Sequence, residues 1–355
     1  MATDEPDIDF DFDLLRELTE TSGVPGYEDR IREIVRRELD GHVDELRTDG
    51  MGNVVGTIEG ELDRSVVVAA HMDEIGFMVR HVTDDGYLQL DALGGWDARV
   101  LKAQRVTVHA QGGDIDGLIG SPPPHTMDEE DLEKKASVED VHVDLGLDAE
   151  EVKRRVAVGD LVTMSQRTEL VGDHVTGKAL DNRVSVLGLI EAARRIESPT
   201  ATIHLAATVQ EEVGLRGAKA LGVDIDADVA LGLDTTVAND VPGFEGGDHV
   251  TRLGDGAAIK LKDSSAIANP KVHRRLRALA EGNEIDHQME VLPAGGTDTA
   301  GLQFAGGATP AGAISFPTRY LHTVTESVHA ADVDAAVDLL VAFLEAEDGD
   351  ADYRL

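Results

Sequence analysis

The sequence predicts an α/β fold in which one domain is interrupted by a second, β-rich domain. Helix-like and strand-like segments alternate over most of the chain, as in proteins that cover a central sheet with helices. Between residues 76 and 163 the pattern changes to short β-like runs and glycine-rich turns without a long helix. We therefore predict a main α/β domain from residues 1–75 and 164–355, and an inserted β-rich domain from residues 76–163.

The individual elements of the main domain follow from hydrophobic periodicity. Residues 12–39 have the pattern of an amphipathic helix that is interrupted by turn-forming residues at 21–26. The apolar runs that we predict as strands are residues 54–58, 65–70, 202–209, 229–233 and 311–316. The later segments that we predict as helices are residues 182–196, 270–281 and 332–346. Because such segments flank the insertion on both sides, the two parts of the chain are expected to form one α/β domain.

The chain is strongly acidic. It has 69 Asp and Glu residues against 32 Lys and Arg residues, and its formal net charge is −37 over 355 residues. The acidic residues are spread along the sequence, which excludes nucleic acid as an expected partner. Spread-out acidity with few lysines is typical of proteins in concentrated salt, where cations screen the repulsion. We interpret the chain as a halophilic, cytoplasmic protein, and an ordinary acidic mesophilic enzyme is the alternative.

The sequence contains no cysteine, so neither disulfides nor thiolate chemistry is available. The acidic start lacks an apolar run, and we expect neither a signal peptide nor a membrane anchor. No stretch approaches the roughly 18 apolar residues that a spanning helix needs. We therefore expect no membrane partner.

Five separated segments contain side chains that bind divalent metal ions. These residues are His71 and Asp73, Asp181, Glu211 and Glu212, Asp234, and His322. Three of the segments follow apolar strands, and ligands gather at the carboxyl ends of strands in α/β sheets. Histidines and carboxylates in this number suit a hydrolase with two metal ions. The set predicts a dinuclear metal site, although each segment alone also has a simple structural explanation.

Local geometry suggests different roles for some of these residues. Asp73 would share a face with His71 on an extended chain and could hold the other imidazole nitrogen. Adjacent residues on an extended chain point to opposite sides, so only one of Glu211 and Glu212 is expected to bind metal. Asp181 begins a predicted helix, where an N-cap role is the alternative to metal binding.

Four motifs carry a family resemblance. They are AHMDEIGF at residues 70–77, GKALDNR at 177–183, TVQEEVGLRGA at 208–218 and PTRYLH at 317–322. They resemble the tetrahedral (TET) aminopeptidases, dinuclear metallo-exopeptidases that are also known as glutamyl aminopeptidases or endoglucanases. The resemblance continues through residues 93–97, 117–125, 240–243 and 295–298, so it covers nearly the whole chain. Together with the acidity, it suggests a haloarchaeal member of this family.

The resemblance implies a zinc-exopeptidase-like catalytic domain with a mixed sheet and assigns the metal ligands. Asp181 would bridge two divalent ions. His71 and Asp234 would complete one site, and Glu212 with His322 would complete the other. The peptide bond after the bridging aspartate is often cis in the family. Zn²⁺ suits these ligands, and Co²⁺ and Mn²⁺ are alternatives.

The resemblance also implies a mechanism and an assembly. Glu211 would be the general base that takes a proton from the attacking water and returns it to the leaving amine. Asp73 would orient His71. The inserted domain matches the family's dimerisation domain, and members commonly assemble twelve subunits, built from dimers, into a hollow tetrahedron. Short peptides with a free N-terminus are therefore the expected substrates.

Substrate preference is left open by the sequence. A glutamyl-specific aminopeptidase needs a cation in its first pocket, for which Lys260 or Lys262 is available, but the lack of a basic cluster favours neutral residues such as leucine. A related dinuclear deacylase or carboxypeptidase is the alternative, with Arg183, Arg216 or Arg319 binding a terminal carboxylate. An endoglucanase would use two carboxylates without metals. A non-catalytic assembly that only binds unfolded peptides would need no metal ligands.

Two segments depart from the family pattern. His329 stands where members often have an aspartate, and it is either a surface residue or a change near the pocket. The residues after Asp298 also differ, which would reshape the specificity pocket.

Overall fold

A computed structural model describes residues 8–129, 135–197, 199–245 and 247–355. The prediction about the acidic start of the chain concerns residues that lie largely outside these ranges. None of the helices in the described ranges combines the length and apolar character that crossing a membrane requires.

The helices and strands alternate as the sequence predicts. The helices are α1 (Phe12–Glu20), α2 (Asp29–Leu39), α3 (Ala149–Arg155), α4 (Leu180–Arg195), α5 (Arg216–Asp224), α6 (Pro270–Gly282), α7 (Thr299–Leu302) and α8 (Ala330–Glu345). The strands of the first half are β1 (Glu45–Thr48), β2 (Val54–Ile58), β3 (Ser65–His71), β4 (Gly76–Val82), β5 (Leu88–Leu93), β6 (Gln104–Ala110), β7 (Gly113–Ile119), β8 (His142–Asp144) and β9 (Leu161–Met164). The later strands are β10 (Glu169–Val171), β11 (His174–Gly177), β12 (Thr202–Thr208), β13 (Val229–Val237), β14 (Ala257–Lys262), β15 (His287–Val291), β16 (Ala311–Arg319) and β17 (Glu326–His329).

One large mixed sheet organises the main domain. Its strands follow the order β1-β2-β12-β3-β13-β16-β17-β11-β10, and β14 pairs with both β15 and β16. The central strands β12, β3, β13 and β16 are parallel to one another. The outer strands β2, β17 and β11 pair antiparallel with their neighbours. The predicted mixed-sheet α/β fold is therefore confirmed.

The parallel strands are buried because helices cover both faces of the sheet. Helix α4 packs on β3 and β13 and is buried almost all round, and α1, α2 and α8 surround it. Helices α5 and α7 cover the opposite face, where Val67 and Ala206 meet Leu221. A strand that is covered on both sides needs apolar residues at every position, which explains the continuous apolar runs of β3 and β13.

The inserted segment forms a small closed barrel with a core of its own. The strands follow the order β4-β5-β8-β7-β6-β9, and β9 pairs with β4 to close the ring. Phe77, Leu90, Val108 and Val143 are among the residues of its buried core. Closure leaves no unpaired sheet edge, which stabilises a domain of short strands. The barrel confirms the predicted β-rich insertion, while the domain limits at residues 75 and 163 remain a proposal.

Several elements were not predicted from the sequence. The short helix α5 and the strands β14, β15 and β17 have no long periodic pattern in the sequence. The extended conformation of these three strands depends on their pairing within the sheet. Strand β13 also extends beyond the predicted limit at residue 233 to Val237, so Asp234 lies inside the strand rather than at its end.

Candidate active site

One cleft collects the predicted site residues at the carboxyl ends of the parallel strands. Its volume is about 540 Å³, and Leu292, Ala294 and Val237 form part of its wall. The predicted residues that line it are His71, Asp181, Glu211, Glu212, Asp234 and His322. Asp73 is fully buried nearby and completes the predicted set.

The side chains of these residues form overlapping groups of possible metal donors. In each group the donor atoms lie within 4.8 Å of one another. Among the described residues, the groups are His71 with Asp181 and Asp234, Asp181 with Glu212 and His322, and His71 with Glu211 and Glu212. Asp181 belongs to one group that contains His71 and to another that contains His322, so it lies between two possible ion positions.

His71 anchors the first of these groups from the last position of β3. Its Nε2 atom lies 3.3 Å from Asp181 Oδ1 and 3.7 Å from Asp234 Oδ1. Its Nδ1 atom lies 3.1 Å from the backbone oxygen of Asp73, whose Oδ1 is 3.5 Å away. An Nδ1–H that donates to this carbonyl leaves the Nε2 lone pair directed toward the carboxylates, as a metal ligand requires.

Asp73 also holds the segment that carries the two glutamates. Its carboxylate accepts hydrogen bonds from the backbone N–H of Glu211 at 3.0 Å and of Glu212 at 3.1 Å. The expectation that Glu211 and Glu212 lie on an extended chain is wrong. Strand β12 ends at Thr208, and Gln210 has a φ of +56°, so the glutamates lie in a turn. The turn directs two adjacent N–H groups to one carboxylate, which an extended strand cannot do.

Asn53, the residue directly before β2, supports the same turn and was not predicted from the sequence. Its side-chain oxygen accepts from the backbone N–H of Val209 at 3.0 Å, and its amide donates to the backbone oxygen of Gly217, also at 3.0 Å. The amide donates in addition to Asp49 at 2.7 Å. Asn53 thereby ties the beginning of the turn to the first residues of α5.

Asp181 lies in an irregular first turn of α4. The peptide bond between Asp181 and Asn182 is cis, as the family resemblance implies, and both residues have non-helical dihedral angles. The N-cap position of the helix is Ala179, so Asp181 does not have that alternative role. The Asn182 side-chain amide donates to the backbone oxygen of Leu233 at 3.0 Å, which joins this turn to the residue before Asp234.

His322 forms the second donor group with Asp181 and Glu212. Its Nε2 atom lies 3.5 Å from Asp181 Oδ2 and 3.6 Å from Glu212 Oε1. Its Nδ1 atom lies 2.7 Å from the backbone oxygen of Gly95, in the segment that follows barrel strand β5. The inserted domain therefore contacts a residue of the site and sets the orientation of its ring.

Two further buried acids, Asp298 and Glu326, border the site, and neither was assigned a role from the sequence. Glu326 accepts hydrogen bonds from the backbone N–H groups of Asp181 and His322. Asp298 accepts a hydrogen bond from the Thr208 hydroxyl, and burial raises the pKa of Asp298 to about 7. Asp298 belongs to the GGTD motif at residues 295–298, which was a usable signal, whereas nothing in the local pattern distinguishes Glu326.

The electrostatics of the cleft fit a pair of divalent cations. Burial and the nearby Asp181 carboxylate raise the pKa of Glu212 to about 8, and burial raises the pKa of Glu211 and of Asp234 above their ordinary values. Among the described residues, the buried Oδ1 atom of Asp181 accepts no hydrogen bond. Buried carboxylates without such partners are stabilised by cations, and the mixture of imidazole and carboxylate donors suits Zn²⁺ and similar ions.

The lysines considered for substrate binding are not in the cleft formed by the described residues. Lys260 is fully buried and pairs with Glu290, which also accepts a hydrogen bond from the Thr236 hydroxyl at 2.7 Å. Lys260 is therefore not available to bind an acidic substrate side chain. Lys262 is half-buried on β14 and does not line the cleft.

The arginines considered for a terminal carboxylate also have other contacts. Arg183 is fully buried and donates to backbone oxygens of α1 and the residues after it. Arg319 makes two hydrogen bonds to Asp240, at 2.8 and 2.6 Å. Arg216 is exposed and does not line the cleft. His329 lies away from the cleft lining and caps α8, because its Nδ1 accepts from the backbone N–H of Ala331 at 3.3 Å.

Comparison with known proteins agrees with this arrangement. The model of the M42 glutamyl aminopeptidase family matches residues 52–339. The lysyl aminopeptidase of Pyrococcus furiosus is 34% identical over 341 residues, which cover 94% of this chain and 97% of the relative.

Solved structures are similar over the same extent. An aminopeptidase from the archaeon Desulfurococcus kamchatkensis superposes with a TM-score of 0.90 at 38% identity, covering 94% of both chains. The TET1 peptidase of Pyrococcus horikoshii, which can assemble into a tetrahedron or a large octahedral shell, superposes with a TM-score of 0.85 at 33% identity. That match covers 94% of this chain and 99% of the other. The chain therefore belongs to the M42 family of aminopeptidases and is a hydrolase.

Proposed function

We propose that this enzyme is a dinuclear metalloaminopeptidase that releases N-terminal residues from short peptides. The observation that carries the proposal is the position of Asp181, which belongs to two donor groups that each contain one histidine. His71 and Asp234 would hold one ion together with Asp181, and Glu212 and His322 would hold the other. Zn²⁺ is the proposed ion, with Co²⁺ and Mn²⁺ as alternatives.

The chain's own residues then act on the substrate and the attacking water. When bound, the two cations polarise the scissile carbonyl and make the attacking water more acidic. Glu211 accepts the proton of that water and delivers it to the leaving amine. Asp73 positions both glutamates through their backbone N–H groups and contacts His71 at the same time. Asp73 therefore fixes the position of Glu211, the proposed base, relative to the first ion site.

The walls of the cleft support a preference for neutral N-terminal residues such as leucine. Val237, Leu292, Ala294 and Leu321 lie along the cleft beside the donor groups and offer apolar surface to a substrate side chain. Lys260 is already paired with Glu290, so it is not free to bind a glutamate side chain. Arg183 and Arg319 already have partners and Arg216 does not line the cleft, which weighs against a carboxypeptidase or deacylase that needs a cation for a terminal carboxylate.

We also propose a twelve-subunit assembly built from dimers, with the barrel as the dimerisation domain. The support is the similarity to the TET1 peptidase, which can assemble into a tetrahedron or an octahedral shell. The charge of −37 supports an enzyme of a haloarchaeal cytoplasm, where molar salt screens repulsion between acidic subunits.

The first prediction concerns Glu211. Glu211→Gln keeps the size of the side chain but cannot accept the proton, so turnover should fall by roughly 10²- to 10⁴-fold while two ions per subunit remain bound. Steady-state kinetics and metal analysis of the same preparation measure both quantities. Glu281→Gln is the matched control, because Glu281 is exposed on the surface and forms an ion pair with Arg277 on the same helix. An active Glu211→Gln enzyme with both ions would remove Glu211 from the role of base.

The second prediction concerns the need for a free N-terminal amine on the substrate and the need for a metal ion. In high-salt buffer, the enzyme should cleave aminoacyl anilides with a free amine, and leucyl anilide should be cleaved faster than glutamyl or lysyl anilide. A chelator should abolish cleavage, and Zn²⁺, Co²⁺ or Mn²⁺ should restore it. N-blocked anilides are the control and should not be cleaved, because they lack the amine. Hydrolysis of blocked substrates would favour the deacylase, and activity in the presence of chelator would contradict a metal mechanism.

The third prediction concerns salt. Below roughly molar salt the assembly should dissociate, since the Debye length grows from about 3 Å at 1 M to about 10 Å at 0.1 M. Light scattering during chromatography at several KCl concentrations measures the mass, and sucrose of equal osmolality serves as an uncharged control. A dodecamer that persists in dilute buffer would argue against halophilic adaptation.

A further inference from the structure

Glu326 is a buried carboxylate that links two parts of the site. It is the first residue of β17, and only 2% of it is exposed. Its Oε2 accepts a hydrogen bond from the backbone N–H of Asp181 at 3.0 Å, and its Oε1 accepts one from the backbone N–H of His322 at 2.8 Å. Each carboxylate oxygen thus holds the backbone of a different proposed metal ligand.

The fold fixes Glu326 at this position. Strand β17 pairs antiparallel with β11, and Glu326 is directly opposite Gly177. The Thr176 hydroxyl donates to the backbone oxygen of Glu326 at 3.0 Å. Asp181 follows Gly177 by four residues, and His322 precedes Glu326 by four residues. The Glu326 side chain therefore links two short segments at the ends of this strand pair. One segment runs from β11 to Asp181, and the other runs from His322 to β17.

A carboxylate is the side chain that suits this task. It has two acceptor oxygens and no donor, so it can receive both N–H groups, whereas a glutamine offers one oxygen and one NH₂ group. Hydrogen bonds to an ionised group are also stronger than neutral ones. The cost is the burial of another acid beside Asp181 and Glu212, which bound cations would offset.

The other proposed ion site has separate supports. His71 is held through Nδ1 by the backbone oxygen of Asp73, and Asp234 Oδ1 accepts from the backbone N–H of Thr235 at 2.8 Å. Glu326 makes neither of these contacts. Of the three residues proposed to hold the first ion, only the shared Asp181 is bonded to Glu326, whereas Asp181 and His322 both belong to the second site.

We propose that Glu326 is a positioning residue for the second ion, the one held by Asp181, Glu212 and His322. This inference rests on the proposed two-metal function. By fixing the backbone of Asp181 and His322 together, Glu326 sets the spacing of two of the three ligands. Its loss lowers the affinity of the second ion more than that of the first and leaves an enzyme with one ion under limiting metal.

The test is a metal titration of Glu326→Ala. Outer contacts of metal ligands typically contribute 10- to 100-fold to affinity, so the second ion should bind about 10- to 100-fold more weakly, with a smaller change for the first. Calorimetric titration of the metal-free protein with Zn²⁺, and Co²⁺ absorption spectra at one and two equivalents, separate the two sites. Glu326→Gln keeps one acceptor oxygen, so its affinity for the second ion should lie between those of the wild type and Glu326→Ala. This variant replaces Glu326→Ala in the titration if the alanine variant does not fold.

Asp332→Ala is the matched control. Asp332 is 1% exposed, and its carboxylate also accepts two backbone N–H groups, those of Gly254 and Gly256, both at 2.8 Å. It contacts none of the proposed ligands through these bonds. Its removal should lower the thermal midpoint without changing the number of ions bound or their affinities.

The outcomes distinguish this inference from the function on which it rests. If the wild-type protein fails to bind two ions, the proposed function is wrong. If the wild-type protein binds two ions, the inference is overturned when Glu326→Ala binds both as tightly, when both sites weaken equally, or when Asp332→Ala also loses the second ion. Selective weakening of the second site in the Glu326 variants alone supports it.

Discussion

Several carboxylates are buried together at the carboxyl ends of the parallel strands, and the rest of the site depends on how their like charges are accommodated. Asp181 is central, because its two oxygens lie near different histidines, 3.3 Å from His71 and 3.5 Å from His322. Burial raises the pKa of the neighbouring Glu212 to about 8, with a further contribution from Asp181. Two divalent cations that share Asp181 would neutralise this cluster and also supply the chemistry of peptide hydrolysis.

The fold supports this arrangement through buried hydrogen bonds from outside the set of proposed ligands. Asp73 and Asn53 hold the turn that carries both glutamates. Glu326 connects the segments of Asp181 and His322, and the barrel contributes the Gly95 carbonyl to the imidazole of His322. The proposed ligands come from five separate strands or turns, so their relative positions depend on such cross-connections more than on local sequence. The large buried sheet supplies the rigid base to which these segments are attached.

Much of the fold could be predicted because its central strands are continuous apolar runs and its long helices are periodic. The β-rich insertion was recognisable from the loss of helical periodicity, but its closure into a barrel depends on strand pairing between distant residues. The proposed metal ligands could be chosen because metal-binding residue types follow strands and occur in recognisable motifs. Glu326 could not, since its role arises from the pairing of β17 with β11 and from no local pattern. The same limit applies to Lys260, whose burial against Glu290 depends on the pairing of β14 with β15.

The central claim is that Asp181 lies between two metal ions. Anomalous diffraction from crystals of the wild-type protein loaded with Zn²⁺, recorded on both sides of the zinc absorption edge, tests it most directly. We expect two peaks per subunit, one beside His71 and Asp234 and the other beside Glu212 and His322, with Asp181 in contact with both. A single peak, or two peaks that do not share Asp181, would contradict it.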